Sequence, residues 1–115
     1  MIVLCYPRCT TCQKAVKWLE QQGKNFTYRN IKDENPSLEE LRHWYKTSAL
    51  PLKKFFNTSG LQYKALGLKD KLPTMSEEEQ LVLLASDGML VKRPLLVTEK
   101  TVLTGFKSAE WEKLL

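Results

Sequence analysis

The stretch Met1-Ile2-Val3-Leu4-Cys5-Tyr6-Pro7-Arg8-Cys9-Thr10-Thr11-Cys12-Gln13-Lys14-Ala15-Val16-Lys17-Trp18-Leu19-Glu20-Gln21-Gln22-Gly23 decides the fold. Its first five residues are an apolar run that reads as a strand. From Thr11 to Gln22, Cys12, Ala15, Val16 and Leu19 recur at helical spacing, and Gly23 is a suitable stop. Between strand and helix lies Cys9-Thr10-Thr11-Cys12, a CxxC at a strand-to-helix junction. The first turn of a helix leaves backbone N–H groups unpaired, with partial positive charge at that end. A thiol placed there ionises more easily, and the thiolate is the form that attacks. Cys9 is expected at or just before the helix start, with Cys12 about one turn later on the same side. That spacing lets Cys9 attack an outside target and Cys12 attack the mixed disulfide that results. Thr10 or Thr11 is expected to cap the helix through its hydroxyl.

Two blander readings stand beside this one. A CxxC can be half of a zinc site, which needs two more ligands. The remaining candidates are Cys5 and His43, with no second CxxC, so no metal site is assigned. Two thiols can also serve as small hydrophobes in a core.

At 115 residues the chain reads as one domain, and 43% hydrophobic residues can form a core without disulfide staples. No stretch approaches the apolar length of a membrane span, and the opening run is too short for a secretory signal. Three cysteines, an odd count, make no disulfide framework. These features point to a reducing cytoplasm, where a CxxC is more often catalytic or sensing than structural. The net charge of +5 favours acidic partners, such as an oxyanion or an acidic protein surface. Lysines and arginines are scattered among carboxylates without a basic block, so direct nucleic-acid binding is not expected.

Phe26 to Ile31 alternates as a second strand, which closes a βαβ unit with parallel strands. Ser37-Leu38-Glu39-Glu40 is a capping box opening a helix to about Lys46, with Leu38, Leu41 and Tyr45 as its stripe and Trp44 beside them. Pro51 to Leu68 reads as helix broken by Asn57-Thr58-Ser59-Gly60. Ser76-Glu77-Glu78-Glu79 is a second capping box, with a helix to about Ala85 that Asp87-Gly88 ends. Leu95–Val97 and Thr101–Thr104 read as a hairpin, and Ser108 as the cap of a last helix bearing Trp111, Leu114 and Leu115. The order is βαβ, a helical insertion at about 37–86, then ββα. With the CxxC at the first turn this is a thioredoxin-like, three-layer α/β/α plan.

Arg93-Pro94 precedes the hairpin. Proline cannot donate to a sheet ladder, so it belongs at the strand's start, beside the cysteine loop in such a plan. Arg93 there can stabilise a thiolate or hold an oxyanion at two points. Arg8, one residue before Cys9, can act the same way or stand as an exposed loop cation. His43 reads as a solvated or packed side chain, and Cys5 as buried in its strand.

These pieces together resemble the arsenate reductase/Spx family. The matching segments are Tyr6 to Cys12, Asn57 to Gly60, Tyr63 to Leu68 and Lys92 to Val97, so the likeness covers nearly the whole chain. The resemblance implies that Cys9 is the nucleophile, that Arg93 faces it, and that the Arg93–Pro94 bond is cis. The arsenate reductases it is similar to carry an arginine where Asn57 stands and another near Gly105. This chain has neither, which weakens the arsenate version of the reading. Cys12 offers an internal resolving thiol in addition. The resemblance thus implies an arsenate reductase-like thiol-disulfide oxidoreductase with no bound cofactor. Its partners would be a small thiol or redoxin, with glutathione/glutaredoxin or thioredoxin as external reductant. The alternative it implies is an Spx-like redox regulator that binds the RNA polymerase alpha subunit.

Overall fold

The computed structural model describes residues 1–115. Ile2–Cys5 forms β1, Thr10–Gln21 forms α1 and Thr27–Asn30 forms β2. β1 and β2 pair in parallel, Ile2 opposite Thr27 and Cys5 opposite Asn30, as the βαβ reading requires. Gly23 takes a φ of 66° just past α1, a conformation that glycine adopts without a side-chain clash. Leu95–Val97 (β3) runs antiparallel to β1, and Val102–Thr104 (β4) antiparallel to β3. The sheet order is therefore β2-β1-β3-β4.

Between β2 and β3 the chain is helical. Leu38–Ser48 forms α2, Leu61–Ala65 α3, Leu68–Lys71 α4 and Glu77–Ser86 α5, with 3-10 turns at Leu52–Phe55, Leu72–Thr74 and Gly88–Leu90. Both capping boxes form: Ser37 with Glu40, and Ser76 with Glu79. The buried stripe of α2 is Leu41 and Trp44, while Leu38 and Tyr45 are half-buried at its edges. Ser108–Leu114 forms α6. Here Ser108 is the first helical residue and Lys107 the cap, with no side-chain capping bond. Of its expected apolar residues, Trp111 is buried and Leu114 is half-exposed.

Strand alternation sorts the core into two halves. Val3, Cys5, Leu96 and Leu103 face one side, where Cys12, Ala15 and Leu19 of α1 and Trp111 of α6 cover them. Leu4, Leu95, Val97 and Val102 face the other, under α2, α5 and the Phe55-Phe56 pair. Gly88 follows α5 because the chain passes too close for a side chain: a Cβ there would lie 1.8 Å from the Ile31 carbonyl oxygen.

Candidate active site

The cysteine loop is set by three hydrogen bonds. The Cys9 N–H donates to the Tyr6 carbonyl at 3.0 Å, and the Gln13 N–H donates to the Cys9 carbonyl at 3.0 Å. The Gln13 side chain reaches back and donates Nε2 to the Pro7 carbonyl at 2.8 Å. Cys9 is thereby the N-cap of α1, in extended conformation. Its thiol sits where the N–H groups of the first turn have no helical acceptor. The expected hydroxyl cap is absent: neither Thr10 nor Thr11 accepts a capping bond, because the cap position itself is a cysteine. Both threonines are exposed on the first turn.

Arg93 arrives from the opposite side. The Arg93–Pro94 bond is cis, and the buried Pro94 accepts the Gly105 N–H at 2.8 Å. A short ladder brings in Asn57: the Lys92 N–H donates to Phe55 at 2.7 Å and the Asn57 N–H to Leu90 at 2.8 Å. Cys9, Thr11, Lys32, Asn57, Lys92 and Arg93 then line one cleft of about 610 Å³. The Arg93 guanidinium lies over the Tyr6 ring, 5.3 Å from its centre. Its Nε and Nη1 are buried and donate to no protein group. Asn57 is buried at 9% exposure, and its amide packs so closely over Gly60 that a Cβ there would lie 2.6 Å from Nδ2. Three cations therefore face the cleft against one carboxylate, Asp87, whose Oδ1 is engaged by the Met89 N–H at 2.8 Å.

Cys12 lies behind Cys9, at 2% exposure, in the core half beneath α1. It shares a buried cluster with Cys5, and Cys9 packs against that cluster. The Cys5 thiol, with burial added, pushes the Cys12 thiol far up from its usual range, while the Tyr6 N–H and Cys9 work weakly against this. All three cysteines are free.

Of the residues singled out from sequence, Cys9, Thr11, Asn57 and Arg93 share the cleft and Cys12 stands behind it. Arg8 and Thr10 are exposed and do not line it, and Pro94 is buried at the foot of β3. Sequence reasoning missed Lys32, Lys92 and the loop pin Gln13. Lys32 had a usable signal: it follows β2 as Cys9 follows β1, and ligands gather beyond the carboxyl ends of parallel strands.

The family model described as the ArsC family matches residues 4–114. An ArsC family related protein from Bacteroides fragilis has a structure with a TM-score of 0.96 and 60% identity, covering 99% of this chain and 96% of its own. A possible arsenate reductase from Streptococcus mutans has a TM-score of 0.91 and 44% identity, covering 99% and 97%. The global transcriptional regulator Spx of Staphylococcus haemolyticus is 26% identical over 95% of this chain and 82% of its own.

Proposed function

As the chain belongs to the ArsC family and has a thioredoxin-like α/β fold, we propose that it is an arsenate reductase-like thiol-disulfide oxidoreductase. One observation carries this reading. Arg93 keeps two buried donors without a protein acceptor, in the cleft that holds Cys9 at the start of α1. Buried donors without partners are costly, so such a guanidinium is suited to a ligand that brings its own oxygens.

In the proposed cycle the Cys9 thiolate attacks the oxidised substrate: attack on a disulfide breaks its S–S bond and releases one thiol, and attack on an oxyanion such as arsenate forms an S–As bond and releases one oxygen as water. Arg93 and the first turn of α1 hold the negative charge that develops. Cys12 then attacks the Cys9 sulfur, its proton passing to the departing product, and the Cys9–Cys12 disulfide forms. The bond from Cys9 to the substrate breaks, and the electron pair leaves with the product. For arsenate, the dithiol supplies two electrons and arsenite departs. Glutathione with glutaredoxin, or thioredoxin, returns two electrons to the disulfide in a reducing cytoplasm. The arginines of the arsenate reductases are missing at Asn57 and near Gly105. Lys92 packs its Cε beside Gly105, which supplies one cation in that place.

The test follows arsenate reduction with each reductant and compares Cys9→Ser. Turnover that disappears in the variant supports the reading, and turnover no higher than the variant's rejects it.

A second reading has its own support in the Spx relative. Here oxidation of Cys9 and Cys12 would change a surface bound by the RNA polymerase alpha subunit, and the net charge of +5 suits an acidic partner. A pull-down with oxidised and reduced protein decides it, since capture of polymerase in neither state removes it.

A further inference from the structure

Cys5 has no part in the cycle above, yet its placement is not that of an isolated core thiol. It ends β1, four residues before Cys9, and lies in the same buried cluster as Cys12. Cys9 packs against that cluster from the cleft side. Burial deepens from Cys9, half-buried, to Cys12 at 2% exposure and Cys5 at 0%, all within one packed cluster. The Cys5 contact is the largest influence on the Cys12 thiol. The loop between strand and helix is pinned by the Gln13 and Cys9 bonds, which holds the three together.

We propose that Cys5 is a third redox-active thiol, and that the Cys9–Cys12 disulfide passes inward to become Cys5–Cys12. The inference rests on the reading that Cys9 and Cys12 form a redox pair. The Cys5 sulfur attacks Cys12, the Cys9–Cys12 bond breaks, and the proton lost from Cys5 ends on Cys9. Three thiols hold one disulfide before and after, so no outside oxidant or reductant is consumed. The leaving sulfur belongs to the residue that lines the cleft with Arg93 and caps the positive end of α1, where departing negative charge is best held. Both sulfurs of the new bond belong to residues packed in the core, at 0% and 2% exposure. The transfer would free Cys9 while the oxidation is stored inside, so that the molecule resets slowly.

The test oxidises the full chain with diamide, blocks remaining thiols by alkylation, and maps disulfides by peptide mass spectrometry. In wild type, a Cys5–Cys12 peptide with Cys9 alkylated is expected beside the Cys9–Cys12 peptide. In Cys9→Ser, which lacks the entry thiol, Cys5 and Cys12 are expected to stay reduced. A wild type that shows only Cys9–Cys12, with Cys5 alkylated throughout, overturns the relay and leaves the redox pair standing, and a Cys5–Cys12 disulfide that forms as readily in Cys9→Ser as in wild type overturns the inward transfer. A wild type that forms no intramolecular disulfide overturns both. Because Cys5→Ala opens a space in the core, the decisive variant is Cys9→Ser, which changes a residue at the surface of the cluster.

Discussion

At the scale of single residues, the cleft separates groups held for chemistry from groups held for shape. On the proposed reading Arg93 belongs to the first kind, since a guanidinium with two buried, unused donors contributes little to the fold that holds it. Arg93→Ala should lower kcat/KM for an oxyanion by about 10²-fold, the usual effect of losing one oxyanion donor. Arg93→Lys should recover part of this, because it keeps the charge and loses the planar fork. Thermal unfolding of both should stay near that of wild type, and a large loss of stability with unchanged activity would reverse the assignment. Gly60 belongs to the second kind. Its absent side chain makes room for the Asn57 amide. In Gly60→Ala the new methyl meets the far end of that amide, which can swing aside, and lies 3.2 Å from the Asn57 carbonyl oxygen, which must give slightly. Stability should therefore fall by less than about 1 kcal/mol, while KM rises because Asn57 leaves its place in the cleft. Asn57 and Arg93 are 36 positions apart in the chain, and no local pattern joins them. Their meeting depends on the pairing of residues 55–57 with 90–92, and for that reason Lys92 also escaped a reading confined to short spacings.

At the scale of elements, what was legible in the sequence was what a few neighbouring residues decide. The two capping boxes formed at Ser37 and Ser76 because each needs only a hydroxyl and a glutamate three positions later. The start of α1 was legible too, since an apolar run followed by a helical stripe leaves the cysteine loop one place to be. Its cap was misread for a physical reason: the residue at the cap position is Cys9, and the threonines already lie within the helix. The end of α2 had no signal, because Ala49 takes the left-handed conformation, φ 55°, that glycine usually marks. The contrast gives a test. Ser37→Ala or Ser76→Ala should each lower stability by about 1 kcal/mol in urea unfolding, whereas Thr11→Ala should change it by a few tenths at most. A Thr11→Ala loss as large as Ser37→Ala would show a hidden cap on α1.

At the scale of the whole molecule, the helical insertion must be fastened to the edge of the sheet, and Arg29 does this. It stands on the edge strand β2, donates Nη1 to Glu40 Oε2 of α2 at 2.7 Å and Nη2 to Glu40 Oε1 at 2.9 Å. Its remaining donors hold the carbonyls of Glu34 and Asn35 in the connecting loop, and its guanidinium lies 5.9 Å from the centre of the Trp44 ring. The Arg29 pairing is the largest influence on the Glu40 carboxyl, and with the Ser37 N–H it brings the group down from 4.5 to about 2. A carboxylate lowered on folding favours the native state while it is ionised in both states, that is, above about 4.5. As pH falls from about 4.5 toward 2, the unfolded chain takes up a proton that the native chain refuses, and the advantage drains away. The side chain of Glu40 is 35% exposed, so solvent screening reduces the full shift to about 1–2 kcal/mol. Glu40→Gln keeps the reach of the capping box and removes the titration. Its stability should therefore be lower than wild type at pH 7 by about that amount, and the two curves should converge near pH 2. Parallel acid limbs for the two proteins would show that the clamp between β2 and α2 carries no pH-dependent stability.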